Sequence, residues 1–234
     1  MRVPELKWEE WVDLLGKAHE VVGRFDELIC LFSRRSFSFL KKDELRVPHA
    51  HPTLLRLAER HAHKPFTLAL LKKMHRALKP VKDVGRFRKR QNWIGPEGGS
   101  IEEAYYLPPK FERVPALMDN LKKYLNSKEK DPLIQLAIFV AQLLIIHPFM
   151  DGNGRIARAL IPMILCKKKM TRAPLFFMSA YFHRHRLQYF EKLFQISKNN
   201  DWEGWIRFFL KGIIEDGEYQ IKKMSSTKYR AQSY

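Results

Sequence analysis

Cysteine is scarce in this chain of 234 residues: there are two, Cys30 and Cys166, far apart and in no CxxC or cysteine–histidine pattern. That argues against a disulfide framework and suits buried thiols in a reducing compartment. Long apolar runs are lacking too. The longest, Leu133–Ile146, is interrupted by Gln135 and Gln142 and is too short to span a membrane. No basic start leads into an apolar stretch, so no signal peptide is expected. Acidic residues are few, 25 against 43 lysines and arginines, which leaves a formal charge of +18. Such a charge favours anionic partners of every kind, nucleotides, nucleic acid, acidic proteins and membrane surfaces, without choosing among them. The basic residues are scattered, from Arg86/Arg88/Lys89/Arg90 to Lys222/Lys223/Lys228/Arg230. Scattered charge reads as a solvated surface rather than a nucleic-acid footprint.

What is present is hydrophobic residue at helical spacing, 45% of the chain, enough to exclude wholesale disorder. A chain of this length can bury roughly 70–75% of its extended surface in one core. Trp11, Leu15, Ala18, Val22, Phe25 and Ile29 recur every three or four residues, one face of a long amphipathic helix. Thr67 is placed to cap a helix carrying Leu68, Leu71, Met74, His75 and Leu78, which Pro80 ends. Pro115 suits the first turn of a helix through Leu125. Asp131-Pro132 opens another, through Ile146, apolar nearly all round and therefore central to a bundle. Asp201 starts the last strong helix. Between them, Gln91–Ile94, a turn-rich Gly95–Ser100 and Ala104–Leu107 before Pro108-Pro109 predict a small β-hairpin at about 91–109. The expected fold is all-α: a helical bundle with one hairpin flap. Residues 1–64 form an N-terminal helical segment on the core, 65–218 the core domain, and 219–234 a loose basic tail.

Most of the chemistry is concentrated in His147-Pro148-Phe149-Met150-Asp151-Gly152-Asn153-Gly154-Arg155-Ile156-Ala157-Arg158. An imidazole with an ordinary pKa near 6.5 accepts a proton at neutral pH, so His147 is the candidate base. Asp151 is a hard oxygen ligand suited to Mg²⁺, which takes one or two carboxylates plus substrate phosphates. Gly152-Asn153-Gly154 lets backbone N–H groups approach phosphate oxygens, and a helix starting there adds its positive dipole end. Arg155 and Arg158, three apart, offer guanidinium forks that match phosphate geometry. Taken singly, each residue has a blander reading: a core histidine, a turn aspartate, a glycine turn, surface salt bridges. Together they describe a site for a polyphosphate and a metal beside a proton acceptor.

This segment resembles the Fic family signature HPFx[D/E]GNGRxxR, matching at every specified position. The likeness extends through Gly85–Arg88, Gln91–Gly95, Ala104–Pro109, Asp131–Ile134, Ser179–Tyr181 and Asp201–Ile206, about residues 65–215 in all. The resemblance implies transfer of AMP from ATP, with Mg²⁺, to a Ser, Thr or Tyr hydroxyl of a target protein, self-modification included. His147 would deprotonate the hydroxyl and Asp151 hold the metal. Gly152, Asn153 and Gly154 would form the anion hole, and Arg155 and Arg158 would steady the β- and γ-phosphates. The flap, including Tyr105 and Tyr106, would grip an extended target segment by strand addition. Tyr181, Tyr189 and Ser197 are candidates for the wall around adenine or ribose, with core packing the competing reading. A bacterial cytoplasm, or a host cell after delivery, would be the setting.

Two departures carry expectations. The inhibitory motif [S/T]xxxE[G/N] of many relatives is not found, around Glu27, in Lys41–Leu45 or elsewhere, so Arg158 is expected to be unmasked in cis and a separate inhibitor protein to be the alternative control. Pro162 falls inside the helix after the anion hole and should bend it. The added C-terminal DNA-binding domain common among relatives is not expected here. Two other functions compete: the same site with another donor (UMP, phosphate or phosphocholine) or removing AMP, and a basic nucleic-acid-binding module whose site is vestigial.

Overall fold

The apolar stretch 132–146 becomes the axis of the molecule. In the computed structural model, which describes residues 8–31, 52–78, 83–96 and 98–232, every residue from Leu133 to Ile146 except Gln142 is buried. A helix apolar on all sides is stable only when other helices cover it. The chain runs α1 (Val12–Leu31, after a 3₁₀ turn at Trp8–Trp11), α2 (Pro52–His61), α3 (Leu68–Ala77), α4 (Val114–Asn126), α5 (Pro132–Ile146), α6 (Asn153–Lys167), α7 (Ser179–Arg184), α8 (Arg186–Asn199) and α9 (Trp202–Gln232). Helices α4, α6, α8 and α9 pack around α5. Trp205 on α9 donates its indole N–H to the Ala137 carbonyl at 2.8 Å, and Gln135 donates to the Tyr124 and Ser127 carbonyls at the end of α4.

The helix starts fall where the capping residues put them. Thr67 accepts from the Leu70 amide at 3.1 Å, Asp131 from the Leu133 and Ile134 amides, and Asp201 from the Gly204 amide. Each oxygen satisfies a first-turn N–H that has no partner inside its helix. Pro115 lies in the first turn of α4, and Pro162 lies buried inside α6, where it leaves the Arg158 carbonyl without its ladder donor. Pro80 lies outside the described residues.

Helix α1 lies along α9. The contact is close at Gly217, where a β-carbon would come within 2.4 Å of Val21, and Phe25 meets Phe176 edge-on at 5.1 Å. His19 on α1 bonds the second oxygen of Asp131 at 2.7 Å, so one carboxylate both caps the central helix and holds α1 to it.

Three expectations change. Among the described residues of 91–109 there are no strands: Ile94 and Tyr106 make a single antiparallel bridge, and Ile101–Glu103 is a 3₁₀ turn. The Tyr105 and Tyr106 amides both converge on the Ile94 carbonyl, and Pro96, Pro108 and Pro109 have no N–H to extend a ladder. Helix α9 continues to Gln232 rather than giving way to a loose tail at 219, because Gln220, Ile221 and Met224 remain buried and Gln220 bonds both the N–H and the carbonyl of Phe177. Of the two thiols, Cys166 is buried but Cys30 is exposed. Among the described residues no helix is long and apolar enough to cross a membrane.

Candidate active site

The site lies where α5 ends and α6 begins, and the backbone hydrogen bonds there explain its shape. A helix leaves its last four carbonyls without intrahelical donors. Here each has one. The Leu143 carbonyl accepts from the His147 amide, Leu144 from His147 Nδ1 at 3.1 Å, Ile145 from the Tyr106 hydroxyl at 3.0 Å, and Ile146 from the Arg88 guanidinium. His147 takes the left-handed conformation, φ 50° and ψ 59°, which turns the chain sharply off the helix. Beyond it, the His147 carbonyl accepts from Arg88 Nε at 3.0 Å and the Pro148 carbonyl from the Arg88 amide. The Phe149 carbonyl accepts from both Asn92 and Asn153, and the Asp151 carbonyl from His75 Nε2 at 3.1 Å.

That scaffold fixes the chemistry of the His147 ring. Nδ1 faces a carbonyl and must carry the proton, so the neutral ring presents an unprotonated Nε2. Loss of hydration pushes the imidazole down to about 4, with the nearby Arg88 charge adding to the effect and the Leu144 carbonyl and Asp151 opposing it. At neutral pH the ring is uncharged.

Asp151 is exposed. One oxygen accepts from the Gly152 amide and the other from Arg155 Nη2 at 2.9 Å. Gly152 sits at φ 80°, a conformation that favours glycine, and begins α6. The first amide to enter the helical ladder is Ile156, bonded to the Gly152 carbonyl, so the Asn153, Gly154 and Arg155 N–H groups stand ahead of it at the positive end of α6. Arg158 folds back over this end: a β-carbon on Gly154 would lie 3.1 Å from its Nη1. Burial holds the Arg158 guanidinium below its ordinary pKa, the Tyr189 phenol lies near enough to act on it, and among the described residues it has no hydrogen bond or ion pair. A half-buried guanidinium without an acceptor is suited to an anionic ligand. Asn153 differs from expectation. Its side chain is 2% exposed and turned inward, accepting from the Phe149 amide at 3.0 Å and donating to the Phe149 carbonyl at 2.8 Å. Only its backbone is left for a ligand.

The remaining candidates divide. Tyr106 reaches the α5 terminus through its hydroxyl, and Ser197 on α8 lies beside that phenol, its own hydroxyl without a hydrogen-bond partner among the described residues. Tyr189 is buried among Phe182, Phe190 and Trp205, with burial pushing its phenol up to about 12. Tyr105 is 69% exposed on the flap segment. Tyr181 packs on Phe208 and Gly212 of α9, a core role. Lys41–Leu45, one of the stretches in which the inhibitory motif is not found, lies outside the described residues.

Sequence reasoning gave no role to Arg88, Asn92 or His75. His75 is fully buried, accepts from the Gly85 amide at 2.7 Å, and stacks on Phe149 at 4.0 Å with the rings 6° apart. Its place on an apolar helical face hid it. Arg88 and Asn92 lay in segments already noticed for their family likeness, which was the available signal.

The Fic/DOC family model matches residues 65–165, the stretch that contains this junction. Over that stretch the chain is similar to the Fic/DOC family. It resembles the protein adenylyltransferase Fic of Aedes aegypti, 29% identical over 127 residues that cover 53% of this chain and 22% of that protein. It also resembles the protein adenylyltransferase fic-1 of Caenorhabditis elegans, 30% identical over 112 residues, 45% of this chain and 20% of the other. The chain thus spans about a fifth of the length of these curated relatives. In fold it is similar to a Fic family protein from Desulfovibrio desulfuricans, with a TM-score of 0.72, 20% identity, and coverage of 95% of this chain and 77% of that one. It is also similar in fold to Fic-1 of C. elegans, with a TM-score of 0.58, 17% identity, and coverage of 96% of this chain and 74% of that one.

Proposed function

We propose that this Fic-like domain transfers AMP from ATP to a hydroxyl side chain of a target protein. The observation that carries the reading is the half-buried Arg158 guanidinium, unpaired among the described residues and folded over the first-turn amides of α6, a short way along the chain from an uncharged His147 with an open Nε2. The amides of 153–155 and the dipole of α6 would cradle the phosphates, Arg155 and Arg158 would neutralise the outer ones, and His147 Nε2 would take the proton from the attacking hydroxyl. The hydroxyl oxygen bonds to the α-phosphorus, the bond to the bridging oxygen of the β-phosphate breaks, and pyrophosphate leaves. An anionic phosphate beside His147 would favour its protonated form, raising its basicity from the depressed value of the free protein.

Mg²⁺ fits the residues present. Asp151 is exposed and its carboxylate keeps lone pairs beyond those given to Gly152 and Arg155. Among the described residues no group of three or more His, Cys, Asp or Glu side chains stands ready for a metal, which suits an ion held by one carboxylate and the phosphates themselves. Bound there, Mg²⁺ would supply charge neutralisation at the phosphates.

The flap segment, with Tyr105, Leu107 and Ile101 exposed, is where an extended target segment would dock, using backbone groups left unpaired beside the single bridge. The names of the curated relatives favour adenylate over other donors. The test is incubation with α-labelled ATP, UTP, GTP or CTP and Mg²⁺, followed by intact-mass spectrometry of the enzyme and of candidate targets. A gain of one AMP, absent in His147→Ala, is expected. A gain from UTP alone, or transfer that survives His147→Ala, would overturn the reading.

A further inference from the structure

Arg88 lies 59 residues before His147 in the chain, and its side chain reaches carbonyls from three segments. Nε donates to His147, Nη2 to Ile146 and, over a very short bond, to Pro109, and Nη1 to Arg90 at 3.5 Å; its amide donates to Pro148. The residue is 2% exposed. Among the described residues no carboxylate lies within ion-pair distance of it, and Glu112 acts only from further away. A buried arginine with no carboxylate is costly unless its donors are met by other acceptors. Here those acceptors are carbonyls at the negative end of α5 and at the base of the flap segment.

Each contact has a consequence for His147. A left-handed backbone is strained for a residue with a β-carbon and persists only where its surroundings hold it. The bonds to Ile146, His147 and Pro148 grip that turn from one side. The ring position goes with this turn, since from this backbone conformation Nδ1 reaches the Leu144 carbonyl. The anion hole has its own supports, Asn153 and Asn92 at Phe149 and His75 at Asp151. We propose that Arg88 is the positioning residue of His147, fixing the base through its own main-chain carbonyl and joining it to the flap segment, separately from the phosphate cradle. This rests on the reading that His147 accepts the proton.

A separate mount predicts that catalysis and ATP binding come apart. In Arg88→Gln and Arg88→Lys the single-turnover rate of AMP transfer should fall about 100-fold, the cost of a base displaced by roughly 1 Å. The Kd for Mg·ATP should stay at the wild-type value. Lysine keeps the charge but cannot span four separated carbonyls, so it rescues little of the rate. A second measurement needs no turnover: the ring pKa of His147 by histidine NMR. Arg88 and Asp151 are the charged groups that act on this ring. Removing the first and loosening the turn should move the pKa upward toward 6.5 in Arg88→Gln, and less in Arg88→Lys. If the wild-type protein transfers no nucleotide, the proposed function fails while the NMR comparison still decides the role of Arg88. Unchanged rate and unchanged ring pKa in either folded variant would overturn the proposal. So would rate and ATP affinity lost in equal measure, or both variants failing to fold, since each means that Arg88 supports the whole domain.

Discussion

Asn153 and Asn92 share the Phe149 carbonyl, and that sharing makes the two amides unequal. Asn153→Ala removes the side-chain acceptor of the Phe149 amide, the only one among the described residues, and leaves a buried donor unpaired at a cost of about 1–3 kcal/mol. It also removes a bond to the Phe149 carbonyl, which keeps Asn92 as a donor, so that loss is about 0.5–1.5 kcal/mol. The sum is about 1.5–4.5 kcal/mol, or a fall in Tm on the order of 3–18 °C for a protein of this size. Asn92→Ala removes one bond to a carbonyl that keeps Asn153, and it also removes a buried Oδ1 that has no partner among the described residues. Its net cost should stay below about 1 kcal/mol. In the double variant the Phe149 carbonyl loses both donors, so the cost should exceed the sum of the single ones by about 1 kcal/mol or more. Urea and thermal unfolding of the four proteins measure all three quantities. Equal costs for the two single variants, or a strictly additive double variant, would refute the hydrogen-bond accounting of this loop.

Arg158→Gln should leave Tm unchanged or raise it, since the charge is half-buried and unpaired, while weakening ATP binding about 10–100-fold through loss of a charged hydrogen bond; calorimetry reads both. His147 and His75 both have depressed imidazole pKa values, so the folded protein binds fewer protons than the unfolded chain. Stability should therefore fall as the pH drops below about 6.5 toward 4, and His147→Ala should flatten part of that slope in a Tm–pH series. His19 goes the other way: its hydrogen bond to Asp131 raises its pKa, so its contribution is complete below about 6.5 and disappears as pH rises through the folded value. His19→Gln should accordingly lower Tm at pH 6 and leave it unchanged at pH 9.

The helices could be read from the sequence because their signals are local. Thr67, Asp131 and Asp201 each cap within three residues of themselves, and the apolar run of α5 announces a buried rod. The flap could not be read as well. Alternation and turn residues at 91–109 marked the two arms that hold Ile94 and Tyr106, but the prolines and the Ser100-capped turn leave a single bridge. The continuation of α9 past Tyr219 was hidden because Gln220, which looks like a surface residue, is buried against the Phe177 backbone.

The twelve residues from His147 to Arg158 determine by themselves which chemistry is on offer, since an imidazole, a carboxylate, glycines and guanidinium groups keep their reactivity in any fold. The tertiary structure decides how each group is used. It turns the Asn153 side chain inward to the loop, leaves the Arg158 guanidinium without a partner among the described residues, commits Nδ1 of His147 to a carbonyl, and brings Arg88, Asn92 and His75 to that loop. The physical reason is that their acceptors are main-chain carbonyls, which every residue carries alike, so only the folded path of the chain selects the ones that Arg88, Asn92 and His75 reach.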